Sequence, residues 1–201
     1  MFGIAATIIF NWLLFKDPKE VTADGVSAIT SIGILIIGIF GIHSWLQSKI
    51  RDNGFKQSEK IIQYIEESYI VIEPLYSNLT TLCDHWYHFG PLEISKAEKD
   101  KMDDIRVNVE SYCNKLTMAC NILQYWNLKL TEDGKRIFKF IEILRRLAKT
   151  DIMIVKITAG AEIKQSVNQK NNDFNELFEI LTSILRSNYQ DIFTTINNDN
   201  N

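Results

Sequence analysis

Residues 26–45 read VSAITSIGILIIGIFGIHSW, a run of twenty residues whose only titratable side chain is His43. At about 1.5 Å per residue, a helix of this length covers roughly 30 Å, which matches the hydrocarbon core of a bilayer. The run therefore predicts a transmembrane helix, and it decides the fold class of the N-terminal region.

A second uncharged run, MFGIAATIIFNWLLF, occupies residues 1–15. As a helix it reaches about 22 Å, which is short for a full span, so complete and partial insertion both remain open. Residues 16–25 join the two runs and contain Pro18 and Gly25, which favour a turn. No basic segment precedes the first run, which argues against a cleaved signal peptide. We predict a two-helix transmembrane hairpin over residues 1–48.

Charged side chains are unevenly distributed along the chain. Residues 1–48 contain five, all between the two apolar runs, whereas the remainder contains 20 basic and 22 acidic groups. Lys49, Arg51, Lys56 and Lys60 follow the second run, while the connecting turn has two lysines against three acids. The positive-inside rule therefore predicts both termini in the cytoplasm and the connecting turn outside. Frequent Asn, Lys and Ile are typical of an AT-rich bacterial or phage gene, so the membrane is expected to be the bacterial inner membrane.

Small and polar residues recur at helical spacing on both apolar runs. Such residues allow close approach of helix backbones in a membrane. Two interpretations follow: the helices of one hairpin pack together, or copies of the protein self-associate. The predicted packing positions are Gly3, Thr7 and Asn11 on the first run, and Ser27, Ser31, Gly38 and Gly41 on the second.

Residues 49–196 show apolar side chains at spacings of three and four, which predicts an antiparallel helical bundle of four helices. The chain is therefore assigned to the all-α class. Pro74 predicts a kink or break near Glu73 in the first bundle helix. Residues 197–201 form a polar tail that is expected to be disordered.

Helix boundaries are predicted from capping residues. Ser95, followed three residues later by Glu98, forms a capping box for the second bundle helix. Thr131 is expected to cap the third, which either extends past Thr150 or gives way to a new helix there. Asp173 is expected to start the fourth.

Cysteine and histidine residues are the first candidates for chemistry. Cys83, His85 and His88 lie close together, but a zinc site needs about four ligands. Cys113 and Cys120 are about 10 Å apart along a helix and cannot both bind one zinc ion. No third group is specified to orient a cysteine–histidine pair for nucleophilic catalysis. We therefore predict no metal, no cofactor and no catalytic residue.

One cluster of positive charge falls on the third bundle helix. It predicts a surface for anionic lipid head groups or for the phosphates of a nucleic-acid partner. The alternative is the ordinary solvated face of an amphipathic helix. The members of this cluster, called here the α4 cations, are Lys135, Arg136, Lys139, Arg145, Arg146 and Lys149.

The arrangement of a short apolar hairpin followed by a helical cytoplasmic domain resembles small two-span effectors of bacterial antiphage systems, including retron-associated ones. That resemblance lies in layout and implies a toxin held inactive by a complex of reverse transcriptase and nucleic acid, then released on infection. It transfers no functional residue to this chain.

The sequence thus favours a non-enzymatic, membrane-anchored effector that disrupts or depolarises the bilayer. Its expected partners are the lipid bilayer, further copies of itself, and a protein or ribonucleoprotein regulator bound through the bundle. The alternative is a passive anchor or adaptor subunit that holds a larger complex at the inner membrane. An enzyme is the least supported class, because no set of polar residues converges in a recognisable motif.

Overall fold

The computed structural model describes residues 23–91, 95–157 and 160–196. The chain divides into two compact units, Met1–Lys49 and Ile50–Asn201. The described part of the chain is mostly helical, as predicted. Residues 1–15 and 197–201 lie outside the described residues. The hairpin and the disordered tail therefore stay predictions. The elements are α1 (Ala23–Glu67), α2 (Tyr69–Phe89), α3 (Lys96–Ile122), a 3-10 turn (Leu123–Trp126), β1 (Leu128–Leu130), α4 (Arg136–Lys156), α5 (Gly160–Arg186), α6 (Tyr189–Ile192) and β2 (Phe193–Thr195).

Helix α4 lies at the centre of the bundle and packs against α2, α3 and α5. Its apolar side chains recur every three or four residues, so they share one side of the helix. The five residues that the periodicity predicted to be buried are each at most 3% exposed: Ile137, Phe140, Ile141, Leu144 and Leu147. The helix continues through Thr150 without a break, which decides between the two alternatives left by the sequence.

The last part of α1, from Ile50 onward, belongs to the bundle. Ile61 and Ile65 are fully buried in the core. The Tyr112 hydroxyl donates a hydrogen bond to the Tyr64 carbonyl at 2.7 Å, which joins α3 to α1. The Gln57 amide donates to the carbonyl of Ala119 at 2.9 Å and adds a second link between the same helices.

The capping residues had different outcomes. Ser95 and Glu98 form the predicted capping box at the start of α3. The prediction for Thr131 was wrong, since α4 begins at Arg136 and the Thr131 hydroxyl accepts a hydrogen bond from the Gly134 amide in the preceding turn. The prediction for Asp173 was also wrong, because α5 begins at Gly160 and Asp173 lies inside it, where its carboxylate binds another helix.

The break predicted near Glu73 lies instead at Ser68. Helix α2 continues through Pro74 to Phe89, and the interruption separates it from α1. A proline ring opposes the carbonyl four residues earlier in the chain. At the interruption, two residues before that carbonyl, the Ser68 amide donates a hydrogen bond to the Ile65 carbonyl at 3.2 Å in a tighter turn.

Two short strands, which the sequence did not predict, join the middle of the chain to a later segment. Strands β1 and β2 pair antiparallel, with Lys129 opposite Thr194. Next to this ribbon the Thr131 amide donates to the Ile192 carbonyl at 2.9 Å. A Cβ atom at Gly134 would overlap that same carbonyl oxygen, so the turn before α4 requires glycine.

Candidate functional site

The apolar part of α1, residues 26–45, is called here the membrane segment. Its large side chains point to all sides of the helix, and they are between 63% and 72% exposed at Ile34, Leu35, Ile37, Phe40 and Ile42. A helix that is apolar all round is either buried in protein or placed in a membrane. Within the described part of the chain, one helix is long and apolar enough to cross a bilayer.

The predicted packing positions of the membrane segment are accessible. Nothing among the described residues lies within 4 Å of a Cβ atom built on Gly38 or Gly41. Ser27 and Ser31 are exposed, and the Ser31 hydroxyl donates to the Ser27 carbonyl at 2.8 Å within the helix. Gly3, Thr7 and Asn11 lie outside the described residues. Packing within one chain and packing between copies therefore both remain predictions.

Arg146 makes the strongest contact among the α4 cations. Its Nε and Nη2 atoms donate to the two carboxylate oxygens of Asp173 on α5, at 2.9 and 2.7 Å. The Asp173 side chain is only 3% exposed, and it also accepts from the Gln169 amide at 2.8 Å. A two-point contact of this kind holds a buried carboxylate in one orientation. The Asp173 hydrogen bonds also raise the pKa of the Arg146 guanidinium.

The other α4 cations are mostly paired as well. Arg145 binds Glu110 and Asn114 of α3, and it lines one groove with Arg146, Lys149 and the apolar Phe138. Lys149 has no carboxylate within 4 Å among the described residues. The remaining ion pairs are Lys135–Glu132 at 2.6 Å, Arg136–Asp133 at 3.3 Å and Lys139–Glu176 at 2.5 Å. Five of the six cations are therefore already neutralised in part by this chain.

A second group of cations has no such partners. Lys49, Arg51, Lys56 and Lys60 of α1, called here the α1 cations, are all exposed. In the three described ranges, no carboxylate lies within 4 Å of any of them. The sequence analysis used these residues only to orient the protein in the membrane. Their local sequence shows a positive cluster, but only the structure shows that it lacks carboxylate partners in the described part of the chain; Lys60 lies over the Tyr64 ring, 5.7 Å from its centroid.

The cysteine and histidine candidates do not converge. Cys83 is buried, whereas His85 and His88 are exposed and contact the ring of Phe89. Among the described residues, no group of three or more histidine, cysteine or acidic side chains is arranged to hold a metal ion. Cys83 and His85 thus occupy different environments on the same helix.

The three thiols are predicted to be poor nucleophiles. Burial raises the pKa of Cys113 to about 11 and that of Cys120 to about 12, and it also raises the pKa of Cys83. The thiolate is the reactive form of cysteine, so at pH 8 these residues are protonated as well as shielded. We expect iodoacetamide to label none of them within minutes in the folded protein and all three in urea, as measured by mass spectrometry. Rapid labelling of Cys83 in the folded chain would contradict this prediction.

The described residues thus present an exposed apolar helix, an unpaired basic group directly after it, and a bundle whose α4 cations are largely paired. These features suit contact with lipid tails and with negatively charged head groups. Comparison with known proteins finds no matching family model, no matching curated protein and no matching solved structure.

Proposed function

We propose that this protein is a non-catalytic effector of the bacterial inner membrane, acting in antiphage defence by disrupting or depolarising the bilayer. In this proposal residues 1–48 form a transmembrane hairpin with both chain termini in the cytoplasm. The helical bundle binds a protein or ribonucleoprotein regulator that restrains the hairpin until infection releases it. The resemblance in layout to small two-span antiphage effectors favours this function over others.

The exposed membrane segment is the observation that supports the proposal most directly. Its side chains cover every side of α1 with apolar surface, and none of its most apolar window is buried among the described residues. Apolar patches of this extent mark membrane or protein interaction sites. Because Gly38 and Gly41 leave room for another helix to approach, the same segment is suited to self-association.

A passive anchor or adaptor is the second candidate. The outer side of α3 and the 3-10 turn after it carry exposed apolar side chains. Val107 and Met118 of α3 are 66% and 63% exposed, Ile122 at its end is 36% exposed, and Tyr125 of the 3-10 turn is 75% exposed. Exposed apolar side chains on a helix resemble the surfaces that bind a partner helix. An adaptor would use this surface and need its hairpin only for attachment.

Membrane potential during expression in bacteria tests the effector proposal. In cells that lack the regulator, the full chain is expected to depolarise the inner membrane within minutes, as reported by a potential-sensitive dye. A chimaera in which an unrelated two-span anchor replaces residues 1–48 is the matched control, adjusted to the same membrane level, and it is expected to leave the potential unchanged. Equal depolarisation by both proteins would contradict the proposal.

A normal potential with the full chain, even after removal of its regulator, would favour the adaptor. The regulator can be sought by crosslinking through α3, with Val107→Glu/Met118→Glu as the variant that should lose it. Loss of the regulator together with spontaneous depolarisation would support restraint of the hairpin by the bundle.

A further inference from the structure

The α1 cations follow the membrane segment on a single continuous helix. Lys49 lies three residues after Leu46, and Lys56 lies ten residues after it. At 1.5 Å per residue, these positions are about 5 and 15 Å along the axis from Leu46, the last apolar residue before the first of these cations. The polar layer of a bilayer is about 5 to 7 Å thick on each side, and charge interactions extend about 8 Å further at physiological salt.

The Lys49 and Lys56 side chains also point in a direction that leaves them accessible to lipid. At about 100° per residue, Lys49 and Lys56 lie within about 20° of each other around α1. Ile61 and Ile65, which are buried in the bundle, lie about 120° to 180° away from them. The lysines therefore occupy the side of the helix that faces away from the bundle core. Arg51 is about 160° away from Lys49 around α1, on the side that also carries Ile65 further along the helix, and its side chain is exposed.

We propose that Lys49, Arg51 and Lys56 bind the phosphate groups of anionic lipids in the leaflet next to the end of the membrane segment. This inference rests on the proposed insertion of α1 in a bilayer. Asp52 is the only acidic residue between positions 49 and 56, so the segment has a net charge of +2. Lysine side chains lean toward the helix N-terminus, which directs Lys56 back toward the membrane segment.

The same comparison argues against the α4 cations as the lipid-binding surface. Arg145 and Arg146 already bind Glu110 and Asp173, so a lipid phosphate would have to displace a carboxylate. The α1 cations have no carboxylate to displace among the described residues. Lys60 is about 21 Å along the axis from Leu46, beyond the polar layer and the further 8 Å or so over which charge interactions extend, so its contribution is smaller.

Electron paramagnetic resonance of spin-labelled lipids tests this proposal with the full chain reconstituted in phosphatidylcholine vesicles. Lipids that touch a membrane-spanning protein give a motionally restricted signal, and its size with labelled phosphatidylglycerol is compared with that for labelled phosphatidylcholine. One juxtamembrane cation contributes about a fivefold preference for an anionic lipid. Averaged over all lipids that touch the protein, we expect roughly a two- to fivefold preference for phosphatidylglycerol over phosphatidylcholine. This preference should decline between 0.05 and 0.5 M NaCl.

Two triple variants locate the preference. The variant Lys49→Gln/Arg51→Gln/Lys56→Gln is expected to bring the ratio of the phosphatidylglycerol signal to the phosphatidylcholine signal close to one. Lys115→Gln/Lys149→Gln/Lys164→Gln removes the same charge from exposed bundle positions and is expected to keep it. An equal loss in both variants would overturn the proposal, because the preference would then follow overall charge. Loss of the preference on adding inorganic phosphate at constant ionic strength would also overturn it, in favour of a site for free phosphate.

The result separates this inference from the proposed function. Equal restricted signals for both lipids would overturn lipid recognition while leaving insertion intact. Absence of any restricted signal would show that α1 does not span the bilayer, and the proposed function would fall with the inference.

Discussion

Replacing Arg146 with alanine is expected to lower the free energy of unfolding by about 3 kcal/mol, although the residue is partly exposed at the surface. The variant leaves the Asp173 carboxylate, whose side chain is 3% exposed, with only the Gln169 amide as a side-chain partner. A buried charge without its counter-ion costs more than the pair contributes in solution. For a chain of this size, the expected fall in Tm is about 6 to 12 °C, measured by circular dichroism in mild detergent.

The controls for this prediction separate stability from partner binding. Lys149→Ala, one turn away and unpaired among the described residues, is expected to change stability by less than about 0.5 kcal/mol. The double variant Arg146→Ala/Asp173→Ala is expected to be more stable than Arg146→Ala alone, since it removes the isolated charge. If the Arg146→Ala variant had the same free energy of unfolding as the parent, Arg146 would be free to bind a partner, as its place in the predicted cation cluster suggests.

The variant Gly38→Leu/Gly41→Leu is expected to abolish depolarisation by the full chain. Outside the neighbouring backbone of α1, nothing in the described residues lies within 4 Å of the added Cβ atoms, so the described part of the chain has room for both side chains. Two leucines would, however, keep another helix from approaching α1 closely. Loss of activity at an unchanged membrane level would therefore indicate that a second helix packs against this side. The measurement is the membrane potential in cells that express matched amounts of each protein.

Gly33→Leu provides the matched control for that experiment. Gly33 is also a glycine of the membrane segment with nothing within 4 Å among the described residues. At about 100° per residue it lies on a different side of the helix from Gly38 and Gly41. It is expected to depolarise cells as the parent does. If both variants lost activity, the effect would follow from added bulk in the segment, and the packing prediction would be wrong.

The part of the fold that the sequence predicts well depends on periodic apolar residues and local caps. Leu144 and Leu147 are buried where their spacing placed them, and Ser95 caps α3 with Glu98. Both features involve residues within a turn or two of each other. Thr131 was misassigned because a threonine can accept a hydrogen bond equally in a turn or at a helix start.

The candidate surface was harder to predict because the acidic partners of Lys139, Arg145 and Arg146 are distant in sequence. Asp173 follows Arg146 by 27 residues and lies on a separate helix. An aspartate with that spacing fits a helix cap as well as an ion pair, so the pattern alone could not decide between them. The α1 cations form the opposite case. Their charge was visible in the sequence, but their lack of partners depends on which side of α1 the bundle covers.

The β1–β2 ribbon affects the order in which the protein is completed during synthesis. Strand β2 is translated after all the helices it helps to close, about 150 residues after the membrane segment. At 5 to 20 residues per second, that interval is roughly 7 to 30 s. A membrane segment emerges from the ribosome and can enter the bilayer during this time, before the bundle has its final strand. Newly made copies therefore pass through a period in which the apolar segment of α1 exists without the finished bundle.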